Sequence, residues 1–271
     1  MFDYSVVLCG CTQNSAKYIQ ENLAKLYQMK NVFKEFHFVV YENDSRDNTA
    51  QELQKFKEGH PNFNCICEKN IQQNISIPWT PHTRSVFIAY CRNQLLKYIN
   101  TYCSNYDFMI MVDLDDVISV FNVKQLNAIF SYDVEQWDAL FANCIGKYYD
   151  IWALRVDLHV WIPGVHEKFW KSVIDYDCWE KARMYNNPKK YVNDNQIVIP
   201  VTAPLIPVKS AFGGFGIYKI SKLKNCWYSG IADNKIICEH VPFHRQLCEM
   251  NGAKLFICPA FLVNQQPNHT K

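Results

Sequence analysis

The chain has 271 residues, of which 49% are hydrophobic and 20% charged, a balance that excludes a disordered chain and suits one large domain. A formal net charge of +2 leaves no broad basic field, so no nucleic-acid partner is expected. No apolar stretch approaches the ~18–20 residues that a transmembrane helix needs.

Ser5 to Gly10 forms a short apolar run closed by turn-forming residues, as a buried strand does. Ile19, Leu23, Leu26 and Tyr27 then recur at helical spacing, with Asn14 and Ser15 as expected caps. Phe36 to Tyr41 predicts a second strand, followed by the polar run Glu42-Asn43-Asp44-Ser45-Arg46-Asp47-Asn48. A short helix through Leu53 and Phe56 stops at Gly59, and Asn64 to Cys67 predicts a third strand. After a loop holding Pro78 and Pro81, Arg84 to Tyr102 predicts a long helix with Phe87, Cys91, Leu95 and Ile99 on its apolar stripe. Phe108 to Val112 is continuously apolar, which fits a central strand buried on both faces. Trp137 to Cys144 and Ala211 to Ile220 also read as strands, the latter broken by glycines. Phe243 to Met250 predicts a helix ended by Asn251-Gly252.

Strand–helix alternation through residue 112 argues for an α/β layer with a mostly parallel sheet. Ligands of such sheets sit at the carboxyl ends of the strands. Two acidic segments, 42–47 and 113–116, fall at such ends.

Asp113, Asp115 and Asp116 follow the apolar run directly. Acids so close repel one another and resist desolvation unless a cation joins them. Mn²⁺ or Mg²⁺ suits that demand, taking oxygen ligands from one or two carboxylates and the rest from phosphate and water. Alternation along an extended segment puts Asp113 and Asp115 on one face and leaves Asp116 aside. Glu42 ends its strand where a carboxylate can meet a base or ribose, although the segment after it also reads as a turn and cap. Arg84 and Arg92 lie eight residues apart, about two helical turns, so one face can present both guanidinium forks to phosphate. The cluster Cys238-x-His240-x₃-His244-x₃-Cys248 holds four possible zinc ligands at a spacing that matches no established motif. His166-Glu167-Lys168-Phe169-Trp170 lacks the second histidine of a zincin. The aromatics of 155–195 (Trp161, Phe169, Trp170, Trp179, Tyr185 and Tyr191) read mainly as the core of a smaller lobe, with stacking platforms as the alternative.

Cys11-Thr12-Gln13-Asn14, Tyr41 to Thr49 and Asp113-Leu114-Asp115-Asp116 together resemble the GT-A glycosyltransferase superfamily. Arg84…Ala89-x-x-Arg92-Asn93, Tyr148 to Arg155 and Cys238-Glu239-His240 narrow the resemblance to the fungal capsule-associated mannosyltransferase family and related enzymes of large DNA viruses. The abundance of Asn, Lys, Ile and Tyr agrees with an AT-rich viral or microbial source. The resemblance runs as an ordered series over roughly residues 5 to 245. It implies a Rossmann-like mixed central sheet flanked by helices, in a single GT-A domain. About residues 1–120 would bind the nucleotide-sugar and about 121–271 would form the acceptor side.

The implied activity is metal-dependent transfer of a sugar from a UDP- or GDP-linked donor to a glycan, glycoprotein or other hydroxyl acceptor. The resemblance places Glu42 at the nucleotide, Arg84 and Arg92 near the diphosphate, and Asp150 and Arg155 beside the donor sugar. Asp113 and Asp115 would handle the metal, with His240 as a late ligand. Asp115 and Glu239 are the catalytic candidates. Glu239 would act as general base in an inverting reaction, whereas the fungal relatives retain configuration. Ala211 to Gly216 would border the acceptor. A sugar nucleotidyltransferase and a non-catalytic glycan-binding relative are the alternatives, the former lacking the usual early glycine-rich phosphate loop. Twelve cysteines scattered in a chain of this size, several within apolar runs, predict reduced thiols in a cytoplasmic protein, or in host cytoplasm if viral. The acidic start, Met1-Phe2-Asp3-Tyr4, is not a secretory signal.

Overall fold

A computed structural model describes residues 1–157, 170 and 173–265, apart from the side chains of Asp116 and Gln265. The expected strands and helices of the first half all form. They are β1 (Phe2–Thr12), α1 (Ile19–Tyr27), β2 (Phe33–Asn43), α2 (Thr49–Glu58), β3 (Phe63–Glu68), α3 (Arg84–Tyr102) and β4 (Phe108–Val112). The second half contributes α4 (Leu126–Phe130), β5 (Ala139–Ile145), α5 (Cys178–Met184), α6 (Pro188–Tyr191), β6 (Ile206–Pro207) and β7 (Phe215–Lys219). A small hairpin of β8 (Ile231–Ala232) and β9 (Lys235–Ile236) precedes α7 (His240–Asn251) and β10 (Leu255–Gln265).

Eight strands share one sheet in the order β3-β2-β1-β4-β7-β5-β10-β6. β7 runs antiparallel to both β4 and β5, and β6 antiparallel to β10, while the remaining pairs are parallel. The fold is therefore α/β with a mixed central sheet flanked by helices. Strand alternation sorts the core by face. Val6 and Leu8 pack with Leu23 of α1, Leu53 of α2 and Leu126 of α4, whereas Val7 and Cys9 pack with Leu95 of α3 and Leu247 of α7. Each fully buried leucine of this kind stabilises the layer by roughly 1.5–3 kcal/mol.

Four local expectations change. Asn14 and Ser15 do not cap α1 with their side chains: the N-cap position is Tyr18, and the Ser15 carbonyl accepts from the Tyr18 and Ile19 amides. The strand expected from Ala211 begins only at Phe215, because Gly213 and Gly214 have φ of +65° and +79° and turn the chain first. α7 starts at His240, three residues before its apolar pattern is evident. β10 was not anticipated. Pro259 interrupts its run, and the pairing with β5 shifts register between Ile257 and Leu262 around that proline.

All twelve cysteines are free thiols, most of them buried. Among the described residues, no helix is long and apolar enough to cross a membrane. Trp161, Phe169 and His166-Glu167 lie outside the described residues; Trp170 is buried, and Trp179 and Tyr185 are exposed.

Candidate active site

A cleft of about 1340 Å³ opens over the carboxyl ends of β1, β2 and β4, the location that parallel topology favours. The wall at the ends of β1 and β2 is stitched from two loops. The Asn14 amide donates to Ser45 Oγ at 2.9 Å, Arg46 N to Asn14 Oδ1 at 2.8 Å, and Ser15 N to Thr49 Oγ1 at 2.7 Å. Asp44 accepts the Asn70 amide at 2.5 Å, which ties the end of β2 to the segment after β3.

Glu42 is fully buried, and its side chain does not line the cleft. Its Oε1 accepts the Ser45 amide at 2.8 Å and lies 3.6 Å from Lys69 Nζ. It shapes the turn, while the neighbouring Asn43 and Asp44 face the cleft. The period-2 pattern carries the reason: Glu42 shares the face of Phe38 and Val40, beneath which α2 packs.

Residues 113–115 follow the expected alternation, and the Asp116 side chain, expected to point aside, lies outside the described ones. Leu114 is buried in the core, and Asp113 and Asp115 line the cleft. Three contacts hold this extension of β4. The Asp113 amide donates to Gly214 O at 3.0 Å, and Asn22 Nδ2 donates to the carbonyls of Leu114 and Asp115, each at 3.1 Å. Asp115 Oδ1 accepts the Val117 amide at 3.0 Å.

At the centre lies Arg92, buried on α3. Its Nη2 donates to Asp113 Oδ1 at 2.9 Å, and its Nη1 contacts both Glu239 Oε1 and His240 Nε2. The guanidinium also lies over the rings of Phe212 and Tyr228, at 4.9 and 5.6 Å. Burial alone would favour the neutral form of Arg92, but the Glu239 and Asp113 carboxylates outweigh it and hold the arginine charged. His240 is the opposite case. Burial first, then Arg92 and His244, push its pKa well below the ordinary histidine value, so the ring is neutral. Its Nδ1 and Glu239 Oε2 are buried without a partner among the described residues. Arg84, at the first turn of α3, lines the outer cleft about 12 Å further along the helix axis.

Asp150 also reaches the cleft. Its Oδ2 accepts the Gly213 amide at 2.9 Å, and burial raises its pKa against those backbone donors. Arg155 does not line the cleft: its Nη1 donates to the Trp152 and Leu154 carbonyls at 2.9 and 2.7 Å. Burial lowers its pKa, and no ion pair joins it to Asp150. Its setting is that of a brace for the 152–155 turn.

The inner cleft holds four carboxylates, Asp113, Asp115, Asp150 and Glu239, around the charge of Arg92. The strain shows at Asp113, where desolvation, partly offset by Arg92 and reinforced by Asp115, Asp150 and Glu239, raises the pKa to about 7. That excess of hard oxygen donors fits a divalent cation beside Asp113 and Asp115. The third expected ligand is not brought to them. Among the described residues no three His, Cys, Asp or Glu side chains are gathered for a metal, because Arg92 stands between Asp113 and His240. The Cys238/His240/His244/Cys248 zinc alternative fails likewise. His244 is held by Ser210 Oγ at 2.9 Å and Tyr218 OH at 3.0 Å.

Two contributors escaped the sequence reading. Gly213 and Gly214 link Asp150 to Asp113 through backbone atoms, and Asn22 steadies the acidic segment from α1. The glycines themselves were visible as a break in the expected strand, but their partners were not.

The sequence matches no protein-family model, and no curated protein matches it. Solved structures are similar to the chain. Mannosyltransferase PcManGT from Pyrobaculum calidifontis, in complex with GDP-Man and Mn²⁺, aligns over 99% of this chain and 59% of its own, with a TM-score of 0.54 and 13% identity. S. aureus TarS 1-349 aligns over 93% of this chain and 57% of its own, at 18% identity and a TM-score of 0.49. Its UDP-GlcNAc complex gives 18% identity over 93% of this chain and 55% of its own, with a TM-score of 0.45. The chain thus spans less than two thirds of the length of these structures, and what it shares with the mannosyltransferase is the fold.

Proposed function

We propose that the chain is a glycosyltransferase that moves a sugar from a nucleoside-diphosphate donor to a hydroxyl acceptor, a glycan being the acceptor class we favour. The observation that carries this reading is the pair Asp113 and Asp115, presented side by side into a cleft at the carboxyl end of β4. The fold shared with a mannosyltransferase bound to GDP-Man and Mn²⁺ supports it.

In this reading Asn43, Asp44 and Asn70 face the nucleoside, and Arg84 meets the phosphates from the outer turn of α3. Asp113 and Asp115 would hold Mn²⁺ or Mg²⁺, which when bound supplies positive charge to the departing diphosphate. Arg92 keeps Glu239 and Asp113 apart yet ionically joined, setting the floor on which the donor sugar rests. Asp150, fixed by the Gly213 amide, borders that sugar. Glu239 Oε2, the oxygen not engaged by Arg92, is the candidate atom to take a proton from an acceptor hydroxyl, which would have to reach it at its buried position. His240 is a neutral packing partner of Arg92 and Phe212 in this arrangement rather than a metal ligand.

A thermal-shift panel of UDP-, GDP- and dTDP-sugars with and without Mn²⁺ tests the reading. At least one donor should stabilise the protein, and removing Mn²⁺ should abolish most of that gain. Absence of any metal-dependent stabilisation would count against it. Donor hydrolysis should fall at least tenfold in Asp115→Ala; activity equal to the parent would remove Asp115 from the mechanism.

A further inference from the structure

The cleft is larger than one small ligand requires. Single-ligand pockets run to roughly 300–1,000 Å³, and this one is about 1340 Å³. The residues assigned to the nucleoside come from the end of β2 and the segment after β3, which leaves the lining from Trp152 to Gln196 unassigned.

That wall is a continuous, braced structure. From Asp150 at the centre it passes two residues on to Trp152, whose indole Nε1 donates to Asp177 Oδ2 at 2.6 Å. The other oxygen of Asp177 caps α5, accepting the amides of Trp179 and Glu180 at 3.0 and 2.8 Å. One carboxylate therefore fixes both Trp152 and the helix that carries Trp179. Trp179 is 44% exposed, and Arg183 follows it by four residues on the same face of α5. Both line the cleft, and neither the Trp179 indole N–H nor the Arg183 guanidinium has a partner among the described residues. Gln196 lines the same wall, its Nε2 donating to the Tyr149 carbonyl at 3.3 Å.

A rigid indole left open inside a polar cleft, with unengaged donors beside it, fits a ligand that is flat and apolar on one face and rich in hydroxyls at its edge. A pyranose has that character: its C–H face packs on the electron-rich indole face while its rim oxygens accept hydrogen bonds. Resting on the transferase reading above, we infer that the Trp152–Trp179–Arg183 wall is the acceptor subsite and that the acceptor is a saccharide of at least two units. One unit would present its hydroxyl near Asp150 and Glu239, and a preceding unit would stack on Trp179. A lipid tail would leave the Arg183 guanidinium without a hydrogen-bond acceptor.

The test uses the full chain and linear trisaccharides of mannose, glucose and N-acetylglucosamine, with binding read by saturation-transfer NMR. At least one trisaccharide should bind. Trp179→Ala should weaken it tenfold or more, Trp179→Phe by only a few-fold, and Arg183→Gln by an intermediate factor. All three variants should keep the parent's nucleotide-sugar thermal shift, which also verifies that they fold. The inference is overturned if none of the trisaccharides binds a protein that nucleotide-sugars stabilise, or if Trp179→Ala binds as tightly as the parent. Trisaccharide binding that depends on Trp179, without any nucleotide-sugar stabilisation, would support the saccharide site and sink the transferase reading instead.

Discussion

Two buried basic residues, one charged and one neutral, carry the electrostatic predictions. Arg92 balances Glu239 and Asp113, and breaking such a pair leaves carboxylate charge uncompensated in the interior. Arg92→Leu should therefore destabilise the protein by ~3–5 kcal/mol in urea titration. Arg92→Lys should recover part of that loss, since the charge returns without the fork. His244 gives a pH-dependent counterpart. Burial first, and then Arg92, lower its pKa to about 3, below its ordinary value of 6.5. Between those values the unfolded chain binds a proton that the folded chain refuses. The contribution of a neutral His244 is thus whole above pH ~7 and is lost as pH falls toward 3. The stability difference between the parent and His244→Gln should shrink by up to about 1.4 kcal/mol per unit between pH 6 and 4. A difference that stays flat over that range would contradict the buried neutral ring.

At the scale of elements, the site depends on how closely three backbone segments approach. A Cβ on Gly214 would sit 1.9 Å from Val117 Cγ1, and its φ of +79° disfavours any side chain. A Cβ on Gly10 would lie 2.6 Å from Val112 O and 2.9 Å from Leu114 Cγ. Gly214→Ala should cost about 1–3 kcal/mol. Because Gly214 O holds the Asp113 amide, nucleotide-sugar affinity should fall with it, which calorimetric titration would detect. Donor affinity at the parent's level would show that this tether is dispensable. The hydrophobic periods of β1, β2, α3 and β4 made those elements legible, because each buries a regular stripe or run. The sequence led to the expectation of Arg92 near a diphosphate and gave no sign of it as the partner of Glu239. Those two residues are 147 positions apart, and no local pattern encodes such a contact. Glu42 misled for a related reason: a strand-end position predicts proximity to a ligand, while the strand's face decides whether the side chain reaches it.

For the molecule as a whole, the central sheet binds the two halves of the chain into one layer. β7 inserts between β4 and β5, pairing antiparallel with both. A fragment ending at residue 120 would lose that neighbour and expose the edge of β4, together with Phe108, Ile110 and Val112. Such a fragment should show no cooperative thermal transition and should aggregate, as circular dichroism and light scattering would report. Cooperative unfolding of the fragment would mean that the first half folds on its own.

The sequence by itself determined the alternating layers of the first half and the acidic segment at the end of β4. It also determined the pairing of Asp113 with Asp115 on one side of that segment, because these follow from periods of 2 and 3.6 residues along a continuous chain. Only the tertiary structure decided that β7 and β10 complete the sheet, that Arg155 donates to the carbonyls of its own turn, and that Arg92 contacts both Asp113 and His240. Those outcomes depend on contacts between residues far apart in the chain, where burial and charge compensation select partners that local sequence does not specify.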